Sequence, residues 1–147
     1  MTTTLTSEDW LNLYYLMRLT RALEERLLTL YRLGKILGGY YSGRGHEAIS
    51  VGATYALRAE DVILPTHRGV GALLTKGVPA RDIVANHLGK ADGPTRGKDN
   101  VLHFADLRRR SAVHGERTNG ASAISHRVRQ GAGDDAHDGS AERAVVT

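Results

Sequence analysis

Cysteine is absent from the 147 residues, which excludes a disulfide framework, a thiolate zinc site and a cysteine nucleophile. No apolar run approaches the roughly 18 residues that a membrane span requires, so an unanchored chain with no membrane partner is expected. The opening residues, Met1 to Asp9, lack the basic and apolar regions of a signal peptide. These absences make a cytoplasmic protein the expectation. Charge of one sign is not concentrated either. Twenty Lys and Arg stand against 16 Asp and Glu, a net charge of +4, and the two signs are interleaved along the chain. No helix-turn-helix, zinc or aromatic RNA-binding signature accompanies this mild excess, so it reads as a solvated surface and no nucleic-acid partner is expected.

What is present is unevenly distributed. All 18 leucines and all 8 aromatic residues lie in residues 1 to 110. Residues 111 to 147 hold 7 Ala, 5 Gly, 4 Ser, 4 Arg, 3 Asp and 3 His, with Val113, Ile124, Val128, Val145 and Val146 as the sizeable apolar groups. Burial by such a segment does not offset its ordering entropy. The chain therefore divides into a folded part, 1–110, and a tail, 111–147, expected to be low in complexity and either disordered or out of frame.

Within the folded part, Thr6 or Ser7 caps a helix whose first turn carries Glu8 and Asp9. Leu11, Tyr14, Tyr15, Leu19, Leu23, Leu27, Leu30 and Tyr31 then recur at steps of three and four up to Gly34, which marks an amphipathic helix with a core or subunit-packing face. Arg21 and Glu25 are one turn apart and read as a surface pair. The glycine-rich stretch from Gly38 to Gly45 predicts a loop, and a helix is expected from about His46 to Leu57. Val62, Ile63 and Leu64 form a short strand or extended segment. Helices are expected from about Gly69 to Thr75 and from Pro79 to near Gly89, followed by a long loop from Gly89 to Phe104 of the kind that is usually functional or disordered. At most one or two short strands are expected.

Three segments carry polar groups that folding alone does not require. Thr66-His67-Arg68-Gly69 follows the short strand at the start of a helix. Exposed helix amides and the forked guanidinium of Arg68 suit phosphate oxygens there, the alternative being an arginine paired with a carboxylate. Thr95 to Phe104 combines small residues with the donors Lys98, Asn100 and His103 and reads either as a binding loop or as a solvated turn. His46 and Glu47 open a helix but point about 100 degrees apart, so they do not share one metal as an i, i+4 pair does. Glu47 is read as a buried hydrogen-bonding or charge-paired group. Spacing assembles no serine, histidine and acid set, and neither a catalytic residue nor a metal ligand is assigned.

The stretches YRLGKILGGYYSGRGHEAISVGATYALRAEDVILPTHRG and GPTRGKDNVLHFADL resemble the thiamine-diphosphate-dependent 2-oxo acid dehydrogenases. The resemblance is to the alpha subunit of their decarboxylating first component, as in the pyruvate, branched-chain and acetoin enzymes, and runs from about Leu11 to Asp106. It implies an α/β thiamine-diphosphate-binding fold, present here as its N-terminal, mainly helical part. It also implies that Arg68 and His67 contact the cofactor diphosphate, that Gly97 and His103 belong to a loop at the active-site entrance, and that Glu47 supports the cleft. The implied reaction is oxidative decarboxylation of a 2-oxo acid, with the thiazolium serving as nucleophile and electron sink and the acyl group passing to a lipoyl acyltransferase. A beta subunit is the implied partner. Two departures qualify this. Val70 stands where many members carry a histidine, and the Gly-Asp-Gly and Asn signature for Mg²⁺ is absent, which removes carboxylate ligands of the kind such a cation needs. The expectation is a truncated alpha subunit, inactive alone and prone to self-association through exposed apolar surface. The alternative is a non-catalytic interaction module packing on a related subunit.

Overall fold

A computed structural model of the chain describes residues 4–99, 104–106, 111–113 and 144–146. Helix α1 spans Ser7–Arg32, and its start is set by a reciprocal cap: the Thr6 hydroxyl accepts from the Asp9 backbone N–H while the Thr6 N–H donates to the Asp9 carboxylate. Two of the otherwise orphaned donors at the helix start are satisfied in this way. Helix α2 follows at Glu47–Tyr55, α3 at Val70–Thr75 and α4 at Ala80–His87.

Three of these helices stop by one local device. Gly34, Gly77 and Gly89 adopt positive φ, and each donates to the carbonyl three residues back. The residue after each glycine closes a second bond, Lys35 to Leu30, Val78 to Leu73 and Lys90 to Ala85. This 6→1 and 5→2 pattern satisfies the last carbonyls and needs the left-handed residue that glycine supplies without penalty.

Strand β1, Val62–Leu64, is buried at all three residues. It lies in a four-stranded sheet with β2 at Phe104–Asp106, β3 at Ser111–Val113 and β4 at Ala144–Val146, in the order β2-β3-β1-β4. β3 and β4 flank β1 in parallel, and β2 pairs antiparallel with β3. The sequence reading of at most one or two strands is thus corrected. Two of the four lie in the tail expected to be disordered. The physical reason is that a strand buried on both faces leaves N–H and C=O groups on each edge, which backbone neighbours of almost any composition can pair. The rest of the tail lies outside the described residues, as do Asn100 to His103.

The core is built from Leu23 and Leu27 of α1, Ile36, Ile63 of β1, Val70, Leu73 and Leu74 of α3, Val78 of the turn that follows, and Ile83 of α4. Helices α1, α2 and α3 meet at Gly71, where a Cβ would come within 2.4 Å of Ser50 Oγ and 3.2 Å of Thr20 Oγ1. The first half of α1 behaves differently. Trp10, Leu11, Tyr14 and Tyr15 are all more than 60% exposed, so the apolar stripe read from the sequence is a core face only from Leu19 onward.

Candidate functional site

The loop between α1 and α2 folds back over α1 and meets the turn that precedes α3. Gly43 makes this approach possible, since a Cβ there would lie 2.1 Å from the Arg68 carbonyl oxygen. Against this contact sit three side chains. The His67 ring is tilted against Tyr41 with centroids 4.7 Å apart, the Arg68 guanidinium lies 5.8 Å from the centre of the same tyrosine ring, and Arg68 Nη1 donates to the Ser42 carbonyl at 2.7 Å. The aromatic face and the carbonyl orient the guanidinium while leaving most of its N–H groups uncommitted.

Two observations suit this surface to an anion. Arg68 is exposed and has no carboxylate partner among the described residues, so the alternative of a simple ion pair is not realised among them. His67 Nδ1 is buried without a hydrogen-bond partner among the described residues, which is costly for a polar atom unless something else meets it. Helix α3 has only six residues, and the N–H of its N-cap Gly69 is spent on the Thr66 carbonyl, so the side chains of His67 and Arg68 are the features of this surface suited to an anion.

Beneath the loop lies a carboxyl group that the sequence reading did not single out. Glu24 is fully buried in α1. Its Oε2 accepts from the Tyr40 hydroxyl at 2.5 Å and from the Ser42 hydroxyl at 3.0 Å. Its Oε1 lacks a partner of ordinary geometry, although the Gly43 backbone is alongside. Burial raises the Glu24 pKa above the usual carboxylate range, against the opposing pull of the Tyr40 and Ser42 hydrogen bonds. Burial and the Glu24 acceptor together push the Tyr40 hydroxyl up. The signal for Glu24 was available: it interrupts the stripe Thr20, Leu23, Leu27 on the core side of α1.

Glu47 is where the sequence reading put it, buried and charge-paired. Arg21 grips it with two bonds, Nε to Oε1 at 2.6 Å and Nη2 to Oε2 at 3.1 Å, and the Gly45 N–H donates at 2.9 Å. Chiefly because of Arg21, its pKa is lowered to about 2. The expected Arg21–Glu25 surface pair is therefore corrected. A bidentate bond across two helices outcompetes a screened i, i+4 contact, and Glu25 instead lies 3.5 Å from Arg44.

Gly97 is not brought to this cluster. It has φ +72° and packs on the Gly89 carbonyl, lining a cavity with Leu37, Asn86, His87 and Lys98 that contains neither His67 nor Arg68. The Tyr40 ring meets the cavity's His87 edge-on at 6.2 Å. His103 lies outside the described residues. Val70, at the position expected to hold a histidine, is buried in the core and offers no proton-transfer group. No group of three or more His, Cys, Asp or Glu among the described residues is placed to hold a metal ion. No helix among them is long and apolar enough to cross a membrane.

Comparison with known proteins gives a consistent answer. The model of the dehydrogenase E1 component family matches residues 14–135, a span that covers the site and continues past Arg110. A pyruvate dehydrogenase E1 component subunit alpha-3, chloroplastic, from Oryza sativa subsp. japonica is 37% identical over 99 residues, 67% of this chain and 23% of the relative. The alpha subunit of an acetoin:2,6-dichlorophenolindophenol oxidoreductase from Bacillus subtilis (strain 168) is 36% identical over 103 residues, 70% of this chain and 31% of the relative. A 2-oxoisovalerate dehydrogenase subunit alpha from the same organism is 36% identical over 108 residues, 72% of this chain and 32% of the relative. The chain thus spans about a quarter to a third of the length of these relatives. The chloroplastic relative, and mitochondrial ones from Pan troglodytes and Bos taurus, show that the family does not fix a cytoplasmic location.

Proposed function

Because this chain belongs to the dehydrogenase E1 component family, on its alpha-subunit side, we propose that it carries the diphosphate-facing wall of a thiamine-diphosphate site. The observation that carries this reading is Arg68, fixed on the Ser42 carbonyl beside Tyr41 with no carboxylate partner among the described residues. Arg68 binds phosphate oxygens through its remaining N–H groups, and the buried His67 Nδ1 meets an oxygen or a water-bridged one. Tyr41 packs against the His67 ring and the Arg68 guanidinium and shields them from one side. Glu47 keeps α1 and the start of α2 together, which fixes both ends of the loop that carries Tyr41.

When bound, the cofactor supplies a nucleophile and an electron sink for oxidative decarboxylation of a 2-oxo acid of the pyruvate class. Acyl transfer to a lipoyl group on a partner acyltransferase, and completion of the site by a beta subunit, belong to the same proposal. Mg²⁺ is the cation expected with the diphosphate, and the described residues supply no carboxylate set for it. The chain alone is therefore proposed to be inactive and to hold the diphosphate weakly, with a Kd on the order of 1 mM, about 4 kcal/mol of binding energy. Heteronuclear NMR titration of the 147-residue chain with thiamine diphosphate tests this. Shifts confined to the Tyr40–Arg44 and Thr66–Gly69 segments, lost in Arg68→Ala, are the expected result. No Arg68-dependent shift at tens of millimolar would rule the cradle out.

A second reading, a non-catalytic module that packs on a related subunit, is favoured by one observation. The exposed Trp10, Leu11, Tyr14 and Tyr15 on α1 form an apolar face of the kind that marks protein contacts. Capture of a beta-type subunit that survives Arg68→Ala but not Leu11→Glu would support it.

A further inference from the structure

The buried Glu24 has no role in the reading above, yet it lies beneath the loop that carries Tyr41 and accepts from the hydroxyls on either side of it, those of Tyr40 and Ser42. We infer that Glu24 is a positioning residue for the anion-facing surface: through Tyr40 and Ser42 it fixes the loop carbonyl that holds Arg68, and so sets where Arg68 points its free N–H groups. This deepens the proposed phosphate-binding role of Arg68 and rests on it.

The geometry forms one connected path. Glu24 Oε2 receives both hydroxyls, at 2.5 and 3.0 Å, and the Tyr40 hydroxyl also lies 3.0 Å from the Glu24 carbonyl. Tyr40 and Ser42 flank Tyr41, so two anchors one residue to either side leave its ring little freedom. The Ser42 carbonyl then accepts from Arg68 Nη1 at 2.7 Å, and Gly43 presses the next peptide onto the Arg68 backbone. Arg68 is thus held at its backbone and at its side chain by the segment that Glu24 holds. Helix α1 supplies rigidity: Glu24 lies one residue from Leu23 and three from Leu27, both buried in the core. A mobile surface loop would lose the orientation of a guanidinium on each fluctuation, whereas a buried acceptor of two hydroxyls transmits the stiffness of the helix. An acid is used here where a hydrophobe would stabilise the helix more simply, because an apolar side chain accepts no hydrogen bond from Tyr40 or Ser42.

The test uses the 147-residue chain and its Glu24→Ala, Glu24→Gln, Ser42→Ala and Arg68→Ala variants. Two quantities are read: the Arg68 guanidinium NMR signal without ligand, assigned by its loss in Arg68→Ala, and the affinity for inorganic pyrophosphate. In the native chain and in Glu24→Gln, whose amide oxygen accepts the same two hydroxyls, the Arg68 Nη signals are expected to be resolved by restricted rotation. In Glu24→Ala they collapse to an average and pyrophosphate binding weakens about fivefold, with Ser42→Ala intermediate. Rescue by glutamine separates positioning from a mere loss of packing. A folded Glu24→Ala chain with an unchanged Arg68 signal and unchanged affinity would overturn the inference and leave the cradle intact. If Glu24→Ala does not fold, Ser42→Ala decides, and an unchanged signal there overturns the inference too. A native chain with a resolved Arg68 signal but no pyrophosphate binding supports the positioning and removes the cradle reading instead.

Discussion

Arg68 and Glu47 are two charged residues used in opposite ways. Glu47 is neutralised by Arg21 inside the molecule, while Arg68 faces outward with its charge uncommitted. Their substitutions separate accordingly. Glu47→Gln is expected to destabilise the fold by about 2 kcal/mol, since it leaves Arg21 unpaired, without altering the surface at Arg68. Its pH signature follows from a pKa held at about 2 rather than 4.5. The stabilisation is present above pH 4.5 and is lost as pH falls toward 2, so urea titrations across that window should show a shallower acid limb in Glu47→Gln than in the native chain. Glu24 has the reverse sign. Its raised pKa means that ionisation costs stability as pH climbs past the ordinary carboxylate range, and Glu24→Gln should gain on the native chain over that climb. Gly43→Ala brings a Cβ to 2.1 Å from the Arg68 carbonyl, and is expected to cost about 2 kcal/mol and to displace Arg68, readable as a lowered Tm with lost anion binding. Single residues were legible as types in a local pattern, His67 and Arg68 in one turn after the short strand and Glu47 at a helix start, but their partners were not: Tyr41, Ser42 and Arg21 each lie 26 positions away, and nothing in local spacing joins them.

The elements were legible where their ends are local chemistry. The Thr6 and Asp9 cap and the closing glycines Gly34 and Gly89 are short-range patterns, so α1 and α4 appear close to where periodicity puts them. The strands β3 and β4 were not legible, because their pairing with β1 spans tens of residues and their own composition is poor in core-forming side chains. Periodicity also could not say which part of the α1 stripe is covered. Its lower half packs at Leu23 and Leu27, and Leu27→Ala is expected to cost about 3 kcal/mol in chemical denaturation. Its upper half stays open at Trp10, Leu11, Tyr14 and Tyr15. Replacing Leu11 and Tyr14 with Glu should leave the unfolding free energy within about 1 kcal/mol of native. It should also lower any concentration-dependent sedimentation, and persistence of association in that variant would place the contact elsewhere.

At the scale of the molecule, four helices and a short sheet hold the proposed diphosphate-facing wall, in a chain that matches a quarter to a third of its relatives' length. The cluster of Tyr41, His67 and Arg68 is complete within the described residues, and the carboxylates for a divalent cation are not among them. The proposed division of labour is that this wall recognises phosphate by a positioned guanidinium, and that tight, metal-dependent binding needs further residues. Titration calorimetry of the chain with thiamine diphosphate, with and without Mg²⁺ and with Arg68→Ala alongside, tests this most directly. Weak binding on the order of 1 mM that disappears in Arg68→Ala and is not tightened by Mg²⁺ is the predicted result. Micromolar, Mg²⁺-dependent binding that survives Arg68→Ala would contradict it.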